Sequence, residues 1–102
     1  MNSEQRAYLH LSAVLACNFS SLMYVLSEEI CQQHAVSFDL LKPLIEETAK
    51  KIKHMPPAQA LTGPAKRGDS SVLSQHLNLL LTDSEKREIY QLLSRTIAKR
   101  SS

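Results

Sequence analysis

Two features of this sequence have residue types suited to binding chemistry. One is Asn18, which lies inside the apolar run from Ala13 to Leu26. A buried amide needs hydrogen-bond partners. Asn18 is therefore expected either to bond a neighbouring helix or to face a ligand cavity.

The second feature is the loop 62–69, with the sequence TGPAKRGD. Its glycines permit close approach of another group to the backbone, and Arg67 and Asp69 offer charge for an anionic or polar ligand. The alternative is a purely structural loop held by an Arg67–Asp69 ion pair. The residues alone favour neither interpretation.

Other catalytic and metal-binding patterns are absent from the sequence. Two glycines cannot form a dinucleotide fingerprint or a P-loop, and no serine nucleophile elbow or paired-cysteine motif occurs. The four histidines are not at ligand spacing; they are His10, His34, His54 and His76. We therefore predict no catalytic residue and no metal site in this chain.

Composition limits the classes of partner. A chain of 102 residues with 43% apolar residues is predicted to form a single domain over 1–102. A net charge of +2 is too small to indicate nucleic acid. Cys17 and Cys31 lack a partner motif and are expected to be free thiols in a reducing cytoplasm. The run from Ala13 to Leu26 is too short to span a bilayer, so no membrane is predicted.

The first third of the chain predicts one long helix. Neither Gly nor Pro occurs from Ser3 to His34, and apolar residues recur at helical intervals of three and four. About 30 residues at 1.5 Å each make a helix about 45 Å long. Its middle is apolar on most sides, which is typical of a helix covered on most sides. The remaining residues are too few to cover it, so we expect a homodimer through this helix or cover by another domain.

The middle of the chain predicts a second helix and then a long loop. Ser37 follows a break in the pattern and can cap the second helix. Pro43 either delays the start of regular helix to about Leu41 or kinks it. The stretch 55–68 holds three prolines and both glycines and is expected to be irregular.

Two further helices complete an all-α prediction. Asp69 or Ser70 caps the third helix, and Thr82 and Glu85 have the spacing of a capping box that begins the fourth. The predicted fold is a long N-terminal helix packed with about three shorter helices.

An ordered set of short motifs covers almost the whole chain. They are LHLSAVLACNF at 9–19, PLIEET at 43–48, QALTGPAKRGD at 59–69, His76-Leu77 and YQLLS at 90–94. This set resembles the carboxy-terminal helical domain of certain Rossmann-like proteins, a domain catalogued as one of unknown function. The resemblance extends from about Ser3 to Lys99.

The resemblance implies a fold similar to the carboxy-terminal domain of the 6-phosphogluconate dehydrogenase superfamily. Family members usually carry an NAD(P)-binding Rossmann domain and are often described as NADP oxidoreductases. In that superfamily the helical domain typically dimerises and closes the active-site cleft over the nicotinamide. By this resemblance the cleft residues here would be Asn18, Thr62, Gly63, Pro64, Arg67 and Asp69.

The nucleotide-binding half of such an oxidoreductase has no counterpart in these 102 residues, because its phosphate-binding turn is missing. We therefore expect this chain to bind no cofactor alone and to serve a parent protein that uses NAD(P), with a Rossmann domain supplied in cis or in trans. The alternative is a stand-alone, non-enzymatic helical interaction module. A third possibility, a metal or cofactor bundle, would need paired Glu-x-x-His motifs that this sequence lacks.

Overall fold

The structure is a computed structural model that describes residues 1–101, and these form helices and turns without a β-strand. The all-α prediction is therefore confirmed. The helices are α1 (Ser3–Gln33), α2 (Lys42–Lys51), α3 (Pro57–Ala60), α4 (Pro64–Arg67), α5 (Ser70–Leu79) and α6 (Ser84–Arg100), with a 3-10 turn at Phe38–Leu41 before α2.

Helix α1 has the predicted length but is not uniform. It begins with a reciprocal cap, in which the Asn2 side chain accepts from the Gln5 backbone N–H at 2.8 Å and the Gln5 side chain accepts from that of Asn2 at 3.0 Å. It is α-helical over Ser3–Ala13, π-helical over Val14–Asn18 and α-helical again to Gln33. The sequence did not predict the π-helical turn.

The residues fall into two compact units. The first, Met1–Ile45, holds α1, the 3-10 turn and the start of α2, and α1 contacts the 3-10 turn. Leu26 is the buried side chain of this unit, at 9% exposure. Ser37 was expected to cap the second helix, but it caps the 3-10 turn before that helix, accepting from the Asp39 backbone N–H at 3.3 Å.

The start of α2 resolves the alternative at Pro43. The helix begins at Lys42, so Pro43 stands in its first turn, where a missing N–H removes no helical hydrogen bond. A kink is therefore not needed. Lys50 and Lys51 lie in the last turn and complement the helix dipole.

The second unit begins at Glu46 and contains α3 to α6. Helix α4 contacts both α5 and α6 through the buried Ala65, which is 7% exposed. The stretch 55–68 is less irregular than predicted, because it contains the single-turn helices α3 and α4. Each begins with proline, at Pro57 and Pro64, and a preset φ favours the first turn.

The capping prediction for α5 is confirmed, whereas that for α6 is wrong. Asp69 caps α5 by accepting from the Val72 backbone N–H at 3.3 Å. Helix α6 is capped by Asp83, which accepts from Lys86 at 3.2 Å, and not by Thr82. A carboxylate is a better cap than a threonine hydroxyl and stands one residue closer to the helix.

Candidate functional site

Asn18 ends the π-helical turn of α1. The turn closes with the wide hydrogen bond from the Phe19 backbone N–H to the Val14 carbonyl. The Asn18 side chain is exposed and makes no hydrogen bond within residues 1–101. Its expected interhelical partner is therefore not found in these residues, and its amide is free to bind a ligand. Single π turns inside α-helices occur frequently at functional sites.

The loop 62–69 is held in one conformation by its own backbone. Gly63 has φ 110° and ψ 174°, and Gly68 has φ 67° and ψ 31°, so both occupy regions that favour glycine. The backbone N–H of Arg67 donates to the Gly63 carbonyl at 3.1 Å, and that of Asp69 donates to the Pro64 carbonyl at 2.9 Å. Buried Ala65 anchors this turn against α5 and α6.

The predicted alternative of an Arg67–Asp69 ion pair is wrong for the described residues. The Asp69 carboxylate instead accepts from Val72 at 3.3 Å and from the Ser71 hydroxyl at 3.1 Å, both in the first turn of α5. Arg67 is exposed and has no partner among residues 1–101. The capping role of Asp69 therefore leaves the guanidinium available to an anion.

The candidate residues divide between the two units. The structure places Thr62, Gly63, Pro64, Arg67 and Asp69 together on the single-turn helix α4 and its flanks, with Thr62 exposed. Asn18 belongs to the first unit, Met1–Ile45.

A hydrogen-bonded pair that sequence reasoning missed joins α5 to α6. His76 Nδ1 lies 2.7 Å from the Tyr90 hydroxyl, and the two rings meet edge-on with centroids 5.6 Å apart. Burial raises the pKa of Tyr90, and a hydrogen bond with Ser94 opposes that rise. The Arg87 guanidinium adds a second link by donating to the Leu77 carbonyl at 3.2 Å.

The sequence contained only an indirect signal for this pair. His76 and Tyr90 both fall in motifs that carry the family resemblance, but the thirteen residues between them hide their contact. Within residues 1–101 no group of three or more His, Cys, Asp or Glu side chains is arranged to hold a metal ion.

Helix α1 carries a line of apolar side chains, which we name the apolar stripe: Tyr8, Leu11, Leu15, Phe19, Met23 and Leu26. The first four of these side chains are more than half exposed, at 63%, 53%, 57% and 52%, whereas Leu26 is buried at 9% exposure. The prediction that the chain leaves much of this helix uncovered is confirmed.

Spacing explains why the apolar stripe stays on one face. Leu11, Leu15, Phe19 and Met23 are each four residues apart, and four residues overshoot an α-helical turn of 3.6. The wider π turn at Val14–Asn18 absorbs this overshoot. Phe19 therefore returns to the line of Leu15.

Helix α1 is also long and apolar enough, by length and composition alone, to cross a membrane. The apolar run from Ala13 to Leu26 alone predicted no membrane span, because it is shorter than the helix and leaves out the turns on either side. Core helices of soluble proteins and signal sequences share this length and composition.

Comparison with known proteins identifies a family and a similar solved structure. The family model of a domain of unknown function (DUF2520) matches residues 1–97. The crystal structure of a putative NADP oxidoreductase from Bacteroides fragilis matches with a TM-score of 0.95 and 45% sequence identity. The match covers 98% of this chain but 39% of that protein. No curated protein matches the chain. Since the family model spans nearly every residue, this chain belongs to the DUF2520 domain family.

Proposed function

We propose that this chain is the helical dimerisation and substrate-cleft domain of an NAD(P)-dependent oxidoreductase and is not catalytic alone. The observation that carries the proposal is the similarity of 98% of the chain to 39% of an NADP oxidoreductase-like protein, at 45% identity. The glycine-poor sequence lacks a phosphate-binding turn. Dinucleotide binding therefore falls to a Rossmann domain in cis or in trans.

The cleft role rests on two polar groups that have no partner among residues 1–101. The exposed Asn18 amide offers a donor and an acceptor, which suit a substrate carbonyl or the nicotinamide carboxamide. The Arg67 guanidinium suits a carboxylate or phosphate. Gly63, Pro64 and Gly68 hold the backbone that presents Arg67, and Thr62 adds a hydroxyl beside it.

The thiols agree with a cytoplasmic location. Cys17 and Cys31 are both free, and Cys17 is exposed. Exposed thiols persist most readily in a reducing compartment.

The proposal is tested by supplying the missing half. The chain is mixed with the separately expressed remainder of the Bacteroides fragilis protein, and NADPH is titrated by its fluorescence. We expect no binding to the chain alone. In the mixture we expect nucleotide-dependent protection from hydrogen exchange at the π turn that ends at Asn18 and at loop 62–69.

Matched variants separate the cleft role from folding. Arg67→Ala should reduce nucleotide-dependent protection at the loop, whereas Lys66→Ala, which removes a neighbouring exposed charge on the same turn, should not. Asn18→Ala should reduce nucleotide-dependent protection at the π turn without changing the circular dichroism spectrum. Failure of the two halves to associate, or protection confined to the Bacteroides part, would contradict the cleft assignment.

A stand-alone helical interaction module is the second candidate, because the exposed apolar stripe of α1 would serve it equally well. Dimerisation alone does not separate the two. An oligomer that binds neither the nucleotide-binding part nor NADPH would favour the interaction module.

A further inference from the structure

Tyr90 lies in the middle of a chain of hydrogen bonds at the contact of α5 and α6. Its hydroxyl is 2.7 Å from His76 Nδ1 and also bonds the Ser94 side chain. The bond from Ser94 lowers the pKa of Tyr90 against the effect of burial, and a hydrogen bond that lowers the pKa of a phenol is one donated to its oxygen. Ser94 therefore donates to Tyr90, and the proton of Tyr90 is directed at His76 Nδ1.

This direction of donation fixes the proton on the His76 ring. A neutral imidazole has one N–H group and one acceptor nitrogen. Because Nδ1 accepts from Tyr90, the hydrogen-bond network assigns the proton of His76 to Nε2, and the same bond holds the ring edge-on to Tyr90 at 86°. The other three histidines are exposed, and no hydrogen bond within residues 1–101 fixes their rings; they are His10, His34 and His54.

The Nε2–H group of His76 is open to solvent. Every buried side-chain nitrogen or oxygen of the described residues has a hydrogen-bond partner. Nε2 has no partner within residues 1–101, so it is not buried, in agreement with the intermediate exposure of His76. The ring is held from the inside by Nδ1 and presents one directed donor at the surface. Histidines that bind or protonate a ligand are oriented in this way, through one nitrogen, and are open at the other.

Arg87 brings a positive charge to the same part of α5. It stands one turn before Tyr90 on α6, and its Nε donates to the Leu77 carbonyl at 3.2 Å. The two terminal nitrogens of its guanidinium have no hydrogen bond or ion pair within residues 1–101, and Glu85 and Glu88 on the same helix form none with it. Capping the last turn of α5 therefore uses Nε alone and leaves the terminal N–H groups available.

We propose that His76 and Arg87 form a binding site for the carboxylate group of a small organic acid. The Nε2–H group of His76 and the terminal N–H groups of Arg87 are the donors. Tyr90 and Ser94 are positioning residues that hold the imidazole. The site uses none of the residues assigned to the cleft and goes beyond the proposed function.

Charge and shape favour a carboxylate at this place. The planar guanidinium matches the two oxygens of a carboxylate. The negative end of α5 meets the positive start of α6 here, so the two helix dipoles oppose each other and the charge of Arg87 remains. The unit Glu46–Ser102 also carries ten of the twelve Lys and Arg residues but six of the ten Asp and Glu residues. Its net positive charge attracts anions.

NMR spectroscopy of the full chain tests the site. Long-range ¹H–¹⁵N spectra of the imidazole nitrogens should show His76 as a single Nε2–H tautomer, and Tyr90→Phe should convert it to a mixture of tautomers. Titration with sodium acetate at constant ionic strength should shift the signals of His76 Nε2–H and of the Arg87 side chain together until they saturate. Sodium phosphate at the same concentrations should shift both signals less.

Variants of two arginines on α6 provide the control. Arg87→Lys keeps the charge but removes the planar fork, and it should weaken acetate binding about tenfold, as expected for the loss of a charge-assisted hydrogen bond. Arg95→Lys changes an exposed arginine of the same helix and should leave the Kd for acetate unchanged. Tyr90→Phe should also weaken acetate binding while the circular dichroism spectrum stays the same.

Saturation at both side chains that is weakened by Arg87→Lys and kept in Arg95→Lys supports the proposal. A His76 proton on Nδ1, a lack of acetate-induced shifts, or equal effects of the two lysine variants overturns it. Phosphate that binds more tightly than acetate overturns the choice of a carboxylate, and an unchanged tautomer in Tyr90→Phe overturns the positioning role. These measurements use the chain alone, so their outcome is independent of the nucleotide experiment that tests the cleft.

Discussion

Replacing Phe19 by alanine should strongly weaken the proposed dimer while leaving each protomer folded. Phe19 is 52% exposed in the single chain. For an aromatic side chain of about 200 Å² this is about 100 Å², or about 2.5 kcal/mol at about 25 cal/mol per Å². A two-fold axis buries the residue twice. Allowing for the retained Cβ, we expect a loss of about 4 kcal/mol, or about a thousandfold in Kd.

Sedimentation equilibrium over a wide concentration range measures this change, and circular dichroism monitors the fold. The matched control is Leu9→Ala. Leu9 is 58% exposed on the same helix but lies off the apolar stripe, so its loss should change the Kd less than twofold, within the range of neutral surface substitutions. A dimer that tolerates Phe19→Ala, or that is weakened equally by Leu9→Ala, would refute the reasoning.

Three further predictions concern the second unit. Tyr90→Phe removes the 2.7 Å bond to His76 and should lower the urea-measured free energy of unfolding by about 1–2 kcal/mol; an unchanged midpoint would show that the pair contributes nothing. The Lys86 side chain holds the pKa of Asp83 below its ordinary 3.8, so the stabilisation is present above that pH and is lost as the pH falls through the lower pKa of the folded state. Asp83→Asn should flatten the dependence of stability on pH between about 2 and 5. A stability curve parallel to that of the unchanged chain would contradict this. No atom would contact a new Cβ at either loop glycine, so the cost of alanine is backbone strain alone. It should be about 1 kcal/mol at Gly68 and larger at Gly63, where φ is 110°, and a reversed order in thermal unfolding would refute this.

Local signals predicted the elements well. The helix from Ser3, the cap at Ser37 and the cap at Asp69 all follow from short-range chemistry, in which a side chain and the backbone it bonds are three or fewer residues apart. The same local reasoning failed at α6, where two adjacent residues, Thr82 and Asp83, could both cap and only the helix start decides between them.

The candidate site was predicted in its residue types but not in its bonding. The sequence identified Arg67 and Asp69 as a possible pair, yet Asp69 bonds the first turn of α5 instead. A carboxylate at a helix start finds backbone N–H donors already in place, whereas an ion pair must order two side chains. The π turn beside Asn18 was also unpredicted, because its cause is the four-residue spacing of the stripe summed over several turns.

The sequence by itself determined the helical class, the length of α1, most helix starts and the excess of apolar surface, because each depends on composition or on contacts within one turn. Only the tertiary structure decided which polar groups have partners. The His76–Tyr90 bond joins α5 to α6, and Lys86 in α6 is buried at 8% exposure. Neighbours brought together by chain folding are not encoded in any local pattern, so the absence of a partner for the Arg67 guanidinium among residues 1–101 became evident only from the structure.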